Sequence, residues 1–333
     1  MIVSSLGWLI AAAVTATGVS SLAVRASAPP SGAVTAAHVK APADTVQQQQ
    51  FPSTDEAVQE LIAANRAGSF ESLLRILGPR GAKLIHSGDS VADREGRERF
   101  VAAYDGAHRI EYVGPDKAIL LVGSEDWPLP IPLVRSHGGW RFDTKAGEQE
   151  ILDRRVGRNE LSVIEVCRTY VQAQLEYASL QPNTGTAREY AQHFMSRQGM
   201  HDGLYWPVAA EEKESPLGPL VAQAHAAGYM TESSHHKPRP YFGYYYKILT
   251  RQGPHAQGGA RNYISADGRM TGGFALLAYP ALYGDSGIMT FIVNQNGIVL
   301  EKNLGPHTTA IARVIGQYDP DFSWRTAASE QTR

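Results

Sequence analysis

Acid–base catalysis needs a carboxylate and an imidazole within hydrogen-bond reach. The first half of the chain offers Asp89, Asp126 and Asp143 on one side and His86 and His108 on the other. Asp126 opens the turn-like Asp126-Trp127-Pro128 and Asp143 follows a strand-like run, two places where carboxylates satisfy backbone N–H groups. No pair stands at a fixed catalytic spacing, so the structural role is preferred. Cys167 sits on an apolar helical stripe with Leu161, Ile164, Tyr170 and Val171, and is read as a core residue rather than a nucleophile served by one of the 11 histidines. A single cysteine also excludes an internal disulfide and a thiolate zinc cluster. His235-His236 supplies imidazoles in a polar loop without a rigid third ligand, so no metal is expected. Gly253, Gly258 and Gly259 lack the following helix and the Lys-Ser/Thr of a phosphate loop, so no cofactor is expected.

Recognition chemistry is better represented. Tyrosine and tryptophan join a large apolar body to a polar tip, which suits binding surfaces. The candidate binding residues are Trp127, Trp140, Tyr205, Trp206 and Tyr245, with Gly272-Gly273 as a place where a ligand could approach the backbone. Each has a structural alternative: a turn or bulge for the glycines, core packing for the aromatics. In Tyr241-Phe242-Gly243-Tyr244-Tyr245-Tyr246, strand alternation puts Phe242, Tyr244 and Tyr246 on one face and Tyr241 and Tyr245 on the other.

The elements that must position these residues divide the chain in two. Over 51–155, Ser53-Thr54-Asp55-Glu56 opens a helix carrying Val58, Leu61 and Ile62. A second helix holds Phe70, Leu73, Leu74 and Leu77 and ends at Gly78-Pro79, and a third, amphipathic, covers Val91 to Tyr104. Strand-like runs follow at Ile110–Val113, Lys117–Val122, Leu129–Val134 and Trp140–Phe142, the last two joined at Gly138-Gly139. Helices followed by adjacent strands predict an α+β layer. This order, with Gly139-Trp140-Arg141-Phe142, resembles the cone-shaped nuclear transport factor 2-like domains, a resemblance that implies a cone able to hold a small ligand or an acid–base pair.

Over 156–324, Arg154, Arg155 and Arg158 lead into a long helix from Leu161 to Tyr177. Strands are expected at Gly243–Thr250, Phe274–Tyr279, Ile288–Asn294 and Ile298–Lys302, with a tight turn at Gln295-Asn296-Gly297. Gln174 and Tyr177, Gly243-Tyr244, Ala278-Tyr279-Pro280 and Phe291 to Gly297 resemble the head domains of type IV pilins and pseudopilins. A whole domain stands where the pilin stalk should enter, so the resemblance implies a head that does not polymerise. Residues 325–333 are read as a tail.

With 333 residues the chain has room for two domains at roughly 150 residues each. The fold class expected is therefore α+β, two domains, each with helices packed on an antiparallel sheet, and a boundary between Glu150 and Glu160. Net charge is −2, which gives no electrostatic reason to expect nucleic acid as a partner. The uncharged stretch Leu6–Val24, centred on Trp8 to Val14, reads as a signal peptide over 1–26 cleaved after Ala26, or an uncleaved anchor, in which case that segment alone meets the membrane. Residues 27–50, with Pro29, Pro30, Pro42 and Gln47 to Gln50, read as a disordered tether. The expected location is periplasmic or envelope-associated.

Across 51–324 the chain resembles the exported bacterial family called domain of unknown function 2950. Trp127 to Val134, Gly139 to Asp143, Gly157 to Glu160, Asp202 to Trp206, Ser215 to Leu220 and Met270 to Phe274 carry the match. That family has no assigned reaction. Two functions are left in competition: a non-enzymatic binding or assembly module of the cell envelope, meeting a protein or polymer partner, and a small-molecule hydrolase or isomerase with a carboxylate–histidine site in the first domain. The absence of a nucleophile–base set or a cofactor loop favours the module.

Overall fold

The computed structural model describes residues 47–180, 188–208, 213–227, 229 and 239–327. The expected signal segment, most of the tether and His235-His236 lie outside the described residues. Helices α1 (Thr54–Ala67), α2 (Phe70–Leu77), α3 (Ala82–Ile85) and α4 (Ser90–Gly106) come first. Ser53 and Ser69 accept from the N–H groups of Glu56 and Ser72, satisfying donors that the first helical turns leave free. Gly68 ends α1 in the left-handed conformation, where a side chain would be strained.

Strands β1 (His108–Tyr112), β2 (Lys117–Val122), β3 (Trp127–Pro128), β4 (Leu133–Ser136) and β5 (Gly139–Phe142) follow. They form an antiparallel sheet in the order β1-β2-β4-β5, with β3 also on β2. Of the run expected as one strand from Leu129 to Val134 only Leu133 and Val134 lie in a strand, β4, because Pro130 and Pro132 cannot donate to a ladder. Helices α1, α2 and α4 pack on this sheet around Leu61, Ile76, Leu120, Leu133 and Phe142.

Helix α5 (Thr144–Leu180) starts well before Leu161, where the long helix was expected, and is continuous through 150–160. Strands β6 (His193–Met195) and β7 (Gly203–Tyr205) form a short parallel pair, followed by α6 (Gly218–Ala227). Next come β8 (Tyr244–Leu249), the paired β9 (Arg251–Gln252) and β10 (Arg261–Asn262), β11 (Ala275–Pro280), β12 (Met289–Asn294), β13 (Leu300–Asn303), α7 (Thr308–Val314) and β14 (Arg325–Thr326). The second sheet runs β14-β13-β12-β11-β8, all antiparallel. The expected meander is present, with α5 packed on β11 and β12. The fold is α+β, two helix-on-sheet halves.

Both ends differ from expectation. Gln48, assigned to the tether, donates to the carbonyls of Ile76 and Phe142, and Phe51 exchanges backbone hydrogen bonds with Trp140. Arg325 and Thr326, assigned to the tail, add the edge strand β14, and the Ala327 N–H donates to Val299. Polar composition hid both attachments, in which backbone and amide hydrogen bonds accompany the burial of Phe51 and Ala327.

The halves are joined by Asp89. It caps α4 by accepting from the Val91 and Ala92 N–H groups, at 3.2 and 3.1 Å. It also accepts from the Tyr229 hydroxyl at 2.9 Å and the Gly243 N–H at 3.0 Å, far along the chain. Val91 packs in the core of the second half. Asn159 of α5 completes the junction by donating to the Ser286 carbonyl.

Candidate functional site

Two cavities of about 300 and 310 Å³ lie between α4 and α5. Both are lined by Ala92, Asp93, Arg99, Arg155 and Arg158, so they meet at a shared basic wall. The first is otherwise largely aliphatic, walled by Leu61, Leu73 and Leu77, by Leu84 and Ile85 of α3, and by Phe100, Ile131 and Ile151. The second is polar and closed from the other half by Tyr229, Tyr241 and Phe242, with Ser87, Glu95, Asn159 and Ser162. Phe242 has φ 48° and Gly243 φ 71°. Gly243 needs that freedom, and its missing side chain lets the turn come within contact of Ser286 and Asn159. A bulky residue in the left-handed region is strained, and Asp89 holds the next N–H in place.

Helical periodicity builds the basic wall. On α5, Ile151, Arg154, Arg155 and Arg158 fall on one face, and on α4 the lining positions include Asp93, Gly96, Arg97 and Phe100 at the same spacing. The Arg155 guanidinium donates to the carbonyls of Lys83 and Leu84 at the end of α3. Burial pushes the Arg155 pKa below the usual arginine range, against the opposing pull of Asp93 and Asp285. Arg99 reaches Glu95 at 3.6 Å, Arg154 pairs with Glu150, and the Arg154 guanidinium lies 5.0 Å from the Trp127 ring centroid.

Arg158 is different. Its guanidinium makes no hydrogen bond or ion pair among the described residues, and its backbone carbonyl accepts from the Ser162 hydroxyl. Partial burial first, and then the positive charges of Arg99 and Arg155, push its pKa below the ordinary value. Arginine nevertheless stays protonated at neutral pH. The arrangement therefore sets an uncompensated positive charge beside two others at the edge of two cavities, which favours an anion with acceptor oxygens.

The acid–base candidates do not assemble. Asp89 is buried in the junction, and desolvation raises its pKa despite the bonds from Ala92, Gly243 and Tyr229. Asp126 is exposed and paired with Arg109, whose hydrogen bonds lower its pKa. His108 stacks on Tyr104 with ring centroids 3.7 Å apart. The backbone N–H of Asp143 donates to the Pro132 carbonyl as the chain enters α5. The partner of His86 is Asp93, at 3.5 Å, a residue the sequence reading did not single out. Asp93 is itself held by the Ser87 N–H.

The seven candidate binding residues are also dispersed. Trp127 lines the aliphatic cavity. Trp140 is buried against Tyr112. Tyr205 ends β7, and Trp206 stacks on His201 at 4.4 Å in a separate cavity with Tyr177 and Glu189. Tyr245 is half-buried against Tyr279, while Tyr244 and Tyr246 are core residues. At Gly272 and Gly273 the close approach is intramolecular: a side chain on Gly272 would meet the Asn262 carbonyl at 2.7 Å, and one on Gly273 would meet the Tyr263 ring at 2.9 Å. Cys167 is fully buried, its thiol pushed up to about 12 by desolvation. Among the described residues no three His, Cys, Asp or Glu side chains group as metal ligands, and no described helix is long and apolar enough to cross a membrane.

What the sequence reading missed as a site is the arginine wall, although the 151, 154, 155, 158 spacing carries it. The geometry defines a two-part α+β protein with a basic cavity at the joint of its halves. The chain belongs to the family described as Protein of unknown function (DUF2950), which matches residues 48–327. Comparison with the curated proteins and with the solved structures returned no match.

Proposed function

We propose that this protein is a non-enzymatic binding module that holds a small anion on Arg99, Arg155 and Arg158. The observation that carries the reading is Arg158, whose charge faces both cavities with no acidic partner among the described residues. The helix-covered sheet of the first half supports its comparison to a ligand-holding cone of the nuclear transport factor 2-like kind. In this reading the second half, pilin-head-like in its helix and meander, supplies one wall rather than a polymer contact. The apolar run Leu6–Val24 supports export to the periplasm or envelope. An envelope protein or polymer docking on an aromatic face has less support, because Tyr241, Tyr244 and Tyr246 are buried.

A second reading, a hydrolase or isomerase, is favoured only by the His86–Asp93 contact at 3.5 Å. Asp93 lines both cavities and His86 lines neither, so the imidazole is poorly placed to exchange a proton with a bound molecule.

The test is titration with inorganic phosphate and with acetate, followed by calorimetry and by backbone amide shifts. Saturable binding, weakening as salt is raised and falling about tenfold or more in Arg158→Gln, is the expected result. Absence of binding, or equal binding by a folded Arg158→Gln variant, would overturn the proposal.

A further inference from the structure

We infer that the molecule held at this site is a single-chain anionic amphiphile, with its charged head on the arginines and its alkyl chain in the aliphatic cavity. The inference rests on the anion-binding reading and specifies its ligand. Its first support is the arrangement of the two cavities. Arg99, Arg155 and Arg158 are shared, with polar walls on one side and, on the other, Leu61, Leu73, Leu77, Phe100 and Ile131 beside Arg97 and Arg154. A free inorganic anion would use only the polar side. An aliphatic cavity offers water few partners and instead favours an apolar occupant.

Gly96 is the second support, and it is independent of charge. It lies inside α4, where glycine is among the least favourable residues. Gly68 or Gly243 has a positive φ to explain it, but Gly96 does not. No close neighbour requires it either: a side chain begun there would meet nothing within 4 Å. Gly96 lines the aliphatic cavity between Asp93 and Phe100, so the missing side chain keeps that volume open. A cavity of about 300 Å³ has room for one alkyl chain of moderate length, and Trp127, at the cavity wall under Arg154, adds a flat apolar surface.

The head group is any compact anion with acceptor oxygens, carboxylate or phosphate, and it could come from a free amphiphile or from a lipid in a bilayer. The experiment titrates full chain with decanoate and with decyl phosphate below their micelle concentrations, with acetate and decanol as controls. Vesicles containing phosphatidylglycerol form a separate arm. Each buried methylene multiplies affinity roughly fourfold, so decanoate should bind about a hundredfold or more tighter than acetate. Gly96→Leu, which fills the cavity from a helix position with room for it, should abolish that gain. Equal affinities for acetate and decanoate, or full decanoate binding by Gly96→Leu, would overturn the amphiphile inference while leaving the anion site standing. Decanol binding as tightly as decanoate, unaffected by Arg158→Gln, would instead remove the anion site and the inference with it. Tight vesicle binding without binding of either free amphiphile would overturn the single-chain inference, because phosphatidylglycerol carries two chains, and would assign the head group to a bilayer lipid.

Discussion

Replacing Asp89 by alanine removes four hydrogen bonds from one buried position, those from Val91, Ala92, Gly243 and Tyr229. Loss of the α4 cap costs about 1 kcal/mol. The Gly243 N–H, left without a partner inside the junction, costs about 1–3 kcal/mol more. Tyr229 adds little, because its side chain borders the polar cavity and water can replace the carboxylate. Removing a desolvated carboxylate offsets part of the loss, so the net destabilisation expected at neutral pH is about 2–3 kcal/mol. Urea unfolding measures it, and hydrogen exchange should show the Gly243 amide opening faster than in the wild type. Asp89→Asn keeps an oxygen for the cap but turns an amide donor toward Gly243 or Tyr229, so its loss should be smaller. A stability for Asp89→Ala within about 0.5 kcal/mol of wild type, or an unchanged Gly243 exchange rate, would refute the idea that this carboxylate ties the halves together.

The same residue gives a pH dependence. Burial raises the Asp89 pKa above 3.8, so between that value and the folded-state pKa the native protein holds more protons than the unfolded chain. Its contribution to stability is therefore fully present below 3.8 and is lost as pH rises through the folded-state pKa. The wild type should lose stability relative to Asp89→Asn across that window and run parallel to it at higher pH. Gly147→Ala should destabilise by about 2–3 kcal/mol, because the new carbon would sit 2.3 Å from the Pro130 carbonyl oxygen, whereas Gly96→Ala should gain about 0.5–1 kcal/mol; paired thermal melts check the opposite signs. Glu160→Ala strands the Ile288 and Met289 N–H groups, which donate to Glu160 at 2.9 and 2.8 Å, and should lower the unfolding free energy by about 2–4 kcal/mol, read from denaturant titration. Cys167, with its thiol pushed up to about 12, should resist Ellman's reagent in the folded protein at pH 8 and react on unfolding in urea.

How far these features were legible in the sequence depends on the distance over which their causes act. Ser53, Ser69 and Gly78 announce α1 and α2 because capping chemistry is local, and β2 falls at Lys117–Val122 as its apolar run indicates. The hairpin at Gly138-Gly139 is legible for the same reason, with His137 and Gly138 both at positive φ. The start of α5 was missed because Thr144–Glu160 is mostly polar, and the helix there is supported by packing against α3 and the 3₁₀ turn Pro79–Gly81. Asp89 shows the limit most clearly. Its cap on α4 can be read from Asp89-Ser90-Val91, but its bonds to Tyr229 and Gly243 are made by residues 140 and 154 positions away, which no local pattern encodes. The arginine wall lies between these cases: its spacing on α5 is local, while its meeting with Arg99 of α4 is tertiary.

Helix α5 touches the first half's core at Ile151 and the second half's from Val163 to Tyr177, with the basic wall in between. Its 37 residues make a rod about 55 Å long at 1.5 Å per residue. A rod shared by two bodies leaves no slack linker for a free swing. Any movement of one half against the other must twist or bend the helix itself, and Arg155 and Arg158 ride on the stretch that would deform. Mechanical load applied to either sheet would thus be felt first as a change in the spacing of those two guanidinium groups from Arg99.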